Sequence, residues 1–240
     1  MGEKSFHDIF TPRIEGLEKE YREVGEYPED LFCEIIRDVG FECNFCAKCC
    51  TKDFNGHVFL LDSETERIRE INPDALLPAP GFDYCDQHGN FYVAGYCIKT
   101  KETGECCFLK DRRCTIYENR PKICRIYPFM IHKEPDDRGK VDWRIISGLN
   151  EHGCYHSECS ESDCRRIYLE TREYEMAFLD HQIRFLRYIK DYFEKNSLRH
   201  VRKIYDDKMR EFNKRKKISV FAYEHDRFSR NEISIDAYRS

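Results

Sequence analysis

Apolar positions along this chain recur with two different periods, and the switches between them mark out its elements. Over residues 10–24 and 28–39 they return every three or four places, the spacing of one helix face. In the second stretch Phe32, Ile35, Ile36 and Val39 form the stripe. Glu29 and Asp30 suit the positive start of a helix, and Gly40 predicts its stop. A short strand is predicted at 57–61, and Ser63-Glu64-Thr65-Glu66 reads as a capping box opening a helix to about Ile71. Pro73, Pro78, Pro80, Gly81 and Gly89 predict loop over 72–90. Residues 91–100 alternate with aromatic and β-branched side chains and predict a strand. Two short strands are expected around Asp111-Arg112-Arg113, and two more, 127–133 and 141–147, around the polar turn 135–139. From about 160 the helical period takes over through 195, with Phe178, Ile183, Phe185, Leu186, Ile189 and Phe193 on the core face. A helix over 198–214, a strand at 218–223 and a polar tail complete the prediction.

Composition narrows the class. The 240 residues carry a net charge of -5, and charged residues of both signs make up 35% of the chain. That balance signals neither disorder nor nucleic-acid binding. The nine Lys and Arg against three acids over 198–217 read as a solvated helix face rather than an RNA surface. No run of 18 apolar residues exists, so no membrane insertion is expected. Residues 1–10 lack the apolar stretch of a signal peptide, and Gly2 is not followed by Ser or Thr at position 6. The expected location is therefore cytoplasmic, where thiols stay reduced. Against that background the 14 cysteines point to metal ligation before cross-linking.

The cysteines are patterned. Cys43-x2-Cys46-x2-Cys49-Cys50 has the two-residue gaps of zinc knuckles and ferredoxin loops, which turn successive sulfurs toward one point. Adjacent side chains tend to diverge, so Cys49 and Cys50 fit two centres or a polynuclear one better than one tetrahedral ion. A second group runs Cys106-Cys107-Phe108-Leu109, Cys114-Thr115-Ile116-Tyr117 and Arg120-Pro121-x2-Cys124-Arg125-x-Tyr127-Pro128. Pro121 is expected at the first position of a helical turn that presents free amides near Cys124. Arg120 and Arg125 would offset thiolate charge, and Tyr117 and Tyr127 would shield it from water.

These two strings resemble the YkgJ-like cysteine-cluster family of zinc- or iron-chelating domains. The resemblance covers about 43–154 and extends through Gly148-Leu149 to Gly153-Cys154. It implies the ligands Cys43, Cys46, Cys49, Cys50, Cys106, Cys114, Cys124 and Cys154, with Cys107 an extra beside Cys106. It brings no single reaction with it, although relatives include flagellin lysine N-methylases.

The remaining candidates are weighed as follows. Cys33 lies in a helical stripe and reads as core; Cys85, Cys97 and Cys107 stay open. Cys159 and Cys164, five apart, do not share a helix face and are read as non-ligands, although any exposed thiol is a candidate redox sensor. His152 and His156 flank Cys154; His57, His88 and His132 have no partner spacing. No phosphate loop, dinucleotide fingerprint or HExxH motif is present, so the reading leans away from an enzyme.

The expected fold class is α+β. A small cysteine-rich metal-binding core with short β-hairpins is flanked by N-terminal helices and a long C-terminal helical extension. The expected division is a metal-binding domain at 1–155 and, at 156–240, a helical extension with a short terminal strand packed on it. Three features favour iron over zinc: the ferredoxin-like run, the match of eight cysteines to two four-thiolate sites, and the spare thiols that suit a reducing cell. The expected cofactor is one or two [4Fe–4S] clusters, with Zn the alternative. The expected function is electron transfer or redox and oxygen sensing as an accessory to a larger enzyme assembly. A structural zinc module for protein interaction and a metal-dependent protein N-methylase are the alternatives.

Overall fold

The computed structural model describes residues 8–135 and 138–238. The signal-peptide and lipidation readings at residues 1–7 and the centre of the 135–139 turn lie outside the described residues. Along the chain the helices are α1 (Thr11–Gly25), α2 (Glu29–Val39), α3 (Lys52–Asn55), α4 (Asp62–Ile71), α5 (Lys122–Ile126), α6 (Glu161–Lys195) and α7 (Arg202–Asn213). The strands are β1 (Phe59–Leu60), β2 (Leu76–Pro78), β3 (Tyr84–Cys85), β4 (Phe91–Val93), β5 (Tyr96–Ile98), β6 (Leu109–Lys110), β7 (Arg113–Cys114), β8 (Phe129–Pro135), β9 (Val141–Ile146), β10 (Ile218–Glu224) and β11 (Arg227–Ile233). The class is α+β, with small sheets and one long C-terminal helix. Among the described residues no helix is long and apolar enough to cross a membrane.

Contacts gather the chain into two compact units built from non-adjacent segments. One comprises the described parts of Met1–Glu18 and His181–Ser240 with Phe59–Gly104; the other comprises Lys19–Val58 and Glu105–Asp180. Helices α1 and α6 each contribute residues to both.

The first unit holds two small sheets, ordered β1-β5-β2 and β11-β10-β4-β3. Its core gathers Phe91, Val93, Phe212, Val220, Ala222 and Tyr238, all nearly free of solvent. The strand expected over 91–100 is two strands in different sheets. Gly95, at φ +143°, breaks the run, and a residue with a Cβ adopts that conformation only with strain. The loop expected at 72–90 contains β2 and β3, two- and three-residue strands too short to outweigh the Pro and Gly signals around them. The polar tail is in fact β11, paired with β10 over seven residues. Helix α4 begins at Asp62, not behind Ser63: the Glu64 carboxylate accepts the Leu61 N–H at 3.0 Å.

The second unit carries the hairpins β6-β7 and β8-β9. In α2 the buried stripe is Phe32, Ile36 and Val39. Phe32 packs against Tyr168 and Phe129, at ring separations of 5.5 and 6.5 Å. The Tyr168 hydroxyl donates to Tyr27 O at 2.7 Å. A side chain buried like Phe32 contributes about 2–3 kcal/mol through removal of apolar surface from water. Gly40 ends α2 in the left-handed region at φ +51°, with its N–H on Ile36 O.

Candidate metal centre

The cysteines are unevenly shared. Cys85 and Cys97 fall in the unit with the large sheet, and the other twelve fall in the second unit. Cys85 and Cys97 are buried, and burial pushes both thiols up to about 12. They are core residues, remote in role from ligation.

The 43–50 segment folds as a tight curl. Phe45 and Ala47 take left-handed conformations, φ 57° and 64°, which cost a non-glycine residue about 1 kcal/mol each. The Cys46 N–H donates to Asn44 Oδ1 at 3.2 Å, and the Lys48–Cys50 turn follows. That turn puts Cys49 and Cys50 within hydrogen-bonding reach of each other, contrary to the expected divergence. Divergence is a property of extended backbone; a tight helical turn rotates neighbours by far less than a half-turn.

The second cysteine segment is joined to the first through the backbone. The Cys106 N–H donates to Cys50 O at 2.7 Å, beside an antiparallel bridge between Thr51 and Glu105. The hairpin β6-β7 turns through Asp111 and Arg112, both at positive φ, and sets Cys114 opposite Leu109. Pro121 caps α5 rather than entering it, and Cys124 is the third helical residue, its N–H on Pro121 O at 3.0 Å. A third segment closes the arrangement. Glu42 and Cys154 exchange both backbone hydrogen bonds, at 2.9 and 2.8 Å, which sets Cys154 next to the start of the cysteine curl. Lys48 Nζ also donates to Glu151 O at 2.8 Å.

Electrostatics show which sulfurs share a neighbourhood. The Cys49 S–H donates to Cys50, and with the Arg120 guanidinium nearby this brings Cys50 down to about 7 against burial. Cys49 keeps the shared proton and shifts up, held there also by burial and by Cys50, Cys124 and Cys43. Cys106 shifts up in the same way, through its bond to Cys107, burial and the charge of Cys107 and Cys124. Cys114 shifts up through burial, with Cys50 and Cys107 adding to it and Arg120 opposing. Cys43, Cys49, Cys50, Cys106, Cys107, Cys114 and Cys124 thus form one interacting set. Cys107, left open from sequence, stands inside it. Cys154 is tied in by its backbone, and Cys46 lies near enough to Tyr155 to act on its hydroxyl. Both Cys43 and Cys154 are exposed.

Arg120 lies near Cys50 and Cys114, while Arg125 braces the preceding turn through Arg120 O and Glu118 O. Tyr127, whose hydroxyl is buried, lies near Cys49. Tyr117 is exposed and carries the Arg120 guanidinium 3.9 Å above its ring. Phe45, also exposed, carries Arg113 at 4.2 Å. This cationic, aromatic rim has no regular spacing that sequence reasoning would have found. His152 is buried in a ring cluster with Phe54, Tyr127 and Phe41, its Nδ1 at 3.1 Å from Gly148 O. His156 is exposed.

Thiol sulfur is the donor that zinc and iron–sulfur centres take, so these residues fit such a group by donor type and not by a ready-made geometry. Among the described residues no group of three or more Cys, His, Asp or Glu side chains stands ready to hold a metal ion. The thiols of Cys49 and Cys50, and of Cys106 and Cys107, are bonded to each other, and ligation requires them to lose their protons.

One comparison falls on this stretch of the chain. Residues 42–160 match the family model described as "CxxCxxCC: Putative zinc- or iron-chelating domain". This segment is similar to that domain over just under half of the chain. No curated protein and no solved structure matches the chain. The matched segment takes in the cysteine curl, both hairpins, α5 and the Cys154 strap, and ends one residue before α6.

Proposed function

We propose that the matched segment holds an iron–sulfur centre and that the chain serves a larger enzyme assembly by carrying electrons or sensing redox state. The observation that supports it is the seven-thiol set drawn from the 43–50 and 106–124 segments. One tetrahedral ion takes four thiolates, so a single structural zinc leaves sulfurs over. A polynuclear cluster, or a pair of them, uses the surplus. Cys43, Cys46, Cys49, Cys50, Cys106, Cys114, Cys124 and Cys154 are the proposed ligands, with Cys107 as the spare. When bound, the cluster supplies one-electron chemistry. The protein's part is to hold the thiolates, to balance their charge with Arg120, and to limit water through Tyr127 and the rings around His152.

The test is to make the full chain without oxygen and to measure visible absorbance, iron and acid-labile sulfide. A coloured protein with iron and sulfide in equal amounts supports the proposal. A colourless protein containing zinc alone overturns it. Cys124→Ser and Cys50→Ser should each lower bound iron, while Cys85→Ser should leave it unchanged.

A further inference from the structure

Three cysteines of the second unit stand outside both the seven-thiol set and the two further proposed ligands, Cys46 and Cys154. Cys159 immediately precedes α6, Cys164 lies in its first turns, and Cys33 lies in α2. Position counting along an ideal helix separates residues five apart, but Cys159 is not in the helix. Ser160 starts it: the Asp163 N–H donates to Ser160 Oγ at 3.1 Å and the Cys164 N–H to Ser160 O at 3.0 Å. The extended residue ahead of this cap is free to lay its side chain over the first turn. The result is a thiol–thiol hydrogen bond, Cys164 Sγ to Cys159 Sγ, of 3.3 Å.

We propose that Cys159 and Cys164 form a redox-active dithiol, distinct from the metal-holding cysteines, that closes to a disulfide by exchange with a small-molecule disulfide. Two observations carry it. The sulfurs need to approach by little more than 1 Å to reach the bond length of about 2 Å. Their exposure is asymmetric: Cys164 is fully buried, while Cys159 is partly open to solvent, so one thiol meets the reagent and the other waits behind it. Burial and the bond to Cys159 push the Cys164 thiol up, opposed only in part by Arg37, so Cys164 is the resolving thiol and not the attacking one.

The exchange runs in two steps. The Cys159 thiolate attacks one sulfur of the reagent; the reagent's S–S bond breaks, and its other half leaves as a thiolate that takes up a proton. This leaves a mixed disulfide on Cys159. Cys164 then attacks Cys159 Sγ; the Cys159–reagent bond breaks, and the second half of the reagent takes up the proton that Cys164 loses and leaves as a thiol. Two protein thiols are oxidised by two electrons, and one small disulfide is reduced to two thiols. Cys33 is the competitor, since its charge reaches Cys164 and it feels Cys159 in turn.

The test uses the full, metal-loaded chain treated with glutathione disulfide, followed by alkylation of remaining thiols. Cleavage after Glu158 and Glu161 separates the two cysteines onto different peptides. Mass spectrometry should find those peptides joined by a disulfide. Cys164→Ala should instead keep glutathione on Cys159, and Cys159→Ser should leave Cys164 fully alkylated. A disulfide to Cys33, stable glutathione on Cys159 in the unaltered chain, or complete alkylation of both thiols would each overturn the proposal. The readout does not depend on which metal the domain holds.

Discussion

Gly40 shows how one residue serves two layers of the structure. As a helix stop it was legible from its place after an apolar stripe. Its second role was not: a Cβ built there would lie 2.2 Å from Ser157 O, where the 156–157 backbone bonds back to Val39 and Gly40. Gly40→Ala is expected to destabilise the protein by about 2 kcal/mol or more, from the positive φ and the clash together, measured as a lower midpoint in urea unfolding. Glu175 is a second residue whose role burial decides. In sequence it is one more polar position in a long helix. In the structure its carboxyl is 5% exposed, and burial pushes it up to about 7, offset only in part by the Ile131 N–H at 3.3 Å. The folded state therefore keeps this proton to higher pH than the unfolded state, whose carboxyl has the ordinary value of 4.5. Between those values stability falls as pH rises, by roughly 3 kcal/mol in all. Glu175→Gln should remove that fall, so thermal melts should show the variant more stable than the parent at about pH 8 and close to it at about pH 4.

At the scale of elements, α1, α2, α6, α7 and β10 were legible because each carries its own period, fixed by neighbours within four residues. Strand β11 was not. Its exposed residues Arg227, Arg230 and Glu232 lie on an edge strand and show no apolar alternation; pairing with β10 is what makes it a strand. The turn joining them, His225-Asp226, sits at positive φ without the Asn-Gly signal that usually reveals such a turn. Helix α4 is fastened to β10 by a two-pronged ion pair, Arg69 to Glu224, with both hydrogen bonds at 2.8 Å. Glu224 is 2% exposed, so losing its partner strands a buried charge. Arg69→Met is expected to cost about 3 kcal/mol, and Arg69→Met with Glu224→Gln markedly less, read as changes in unfolding midpoint. The basic stretch 198–217 behaves at this scale as a solvated surface: Arg202, Lys208, Arg210 and Lys216 pair with Asp206, Glu211 and Asp207.

For the whole molecule, the two units make separable predictions. Removing metal with a chelator should raise amide exchange over 43–50 and 106–128, where few regular elements hold the chain. The β10 and β4 amides of the other unit should stay protected, since their core contains no proposed ligand. Because Cys49, Cys106 and Cys114 hold their protons, metal uptake should release protons and weaken as pH falls, which a titration in weakly buffered solution would measure. The sequence alone determined the longer helices, the α+β class and the thiol donors, because period and donor type are written in short windows of residues. Only the tertiary structure decided which sulfurs meet. That rests on backbone bonds between Cys50 and Cys106 and between Glu42 and Cys154, partners too far apart in the chain for any local pattern to record. The same holds for Cys107, drawn into the set by its neighbours, and for Cys159 and Cys164, which meet because a helix begins between them.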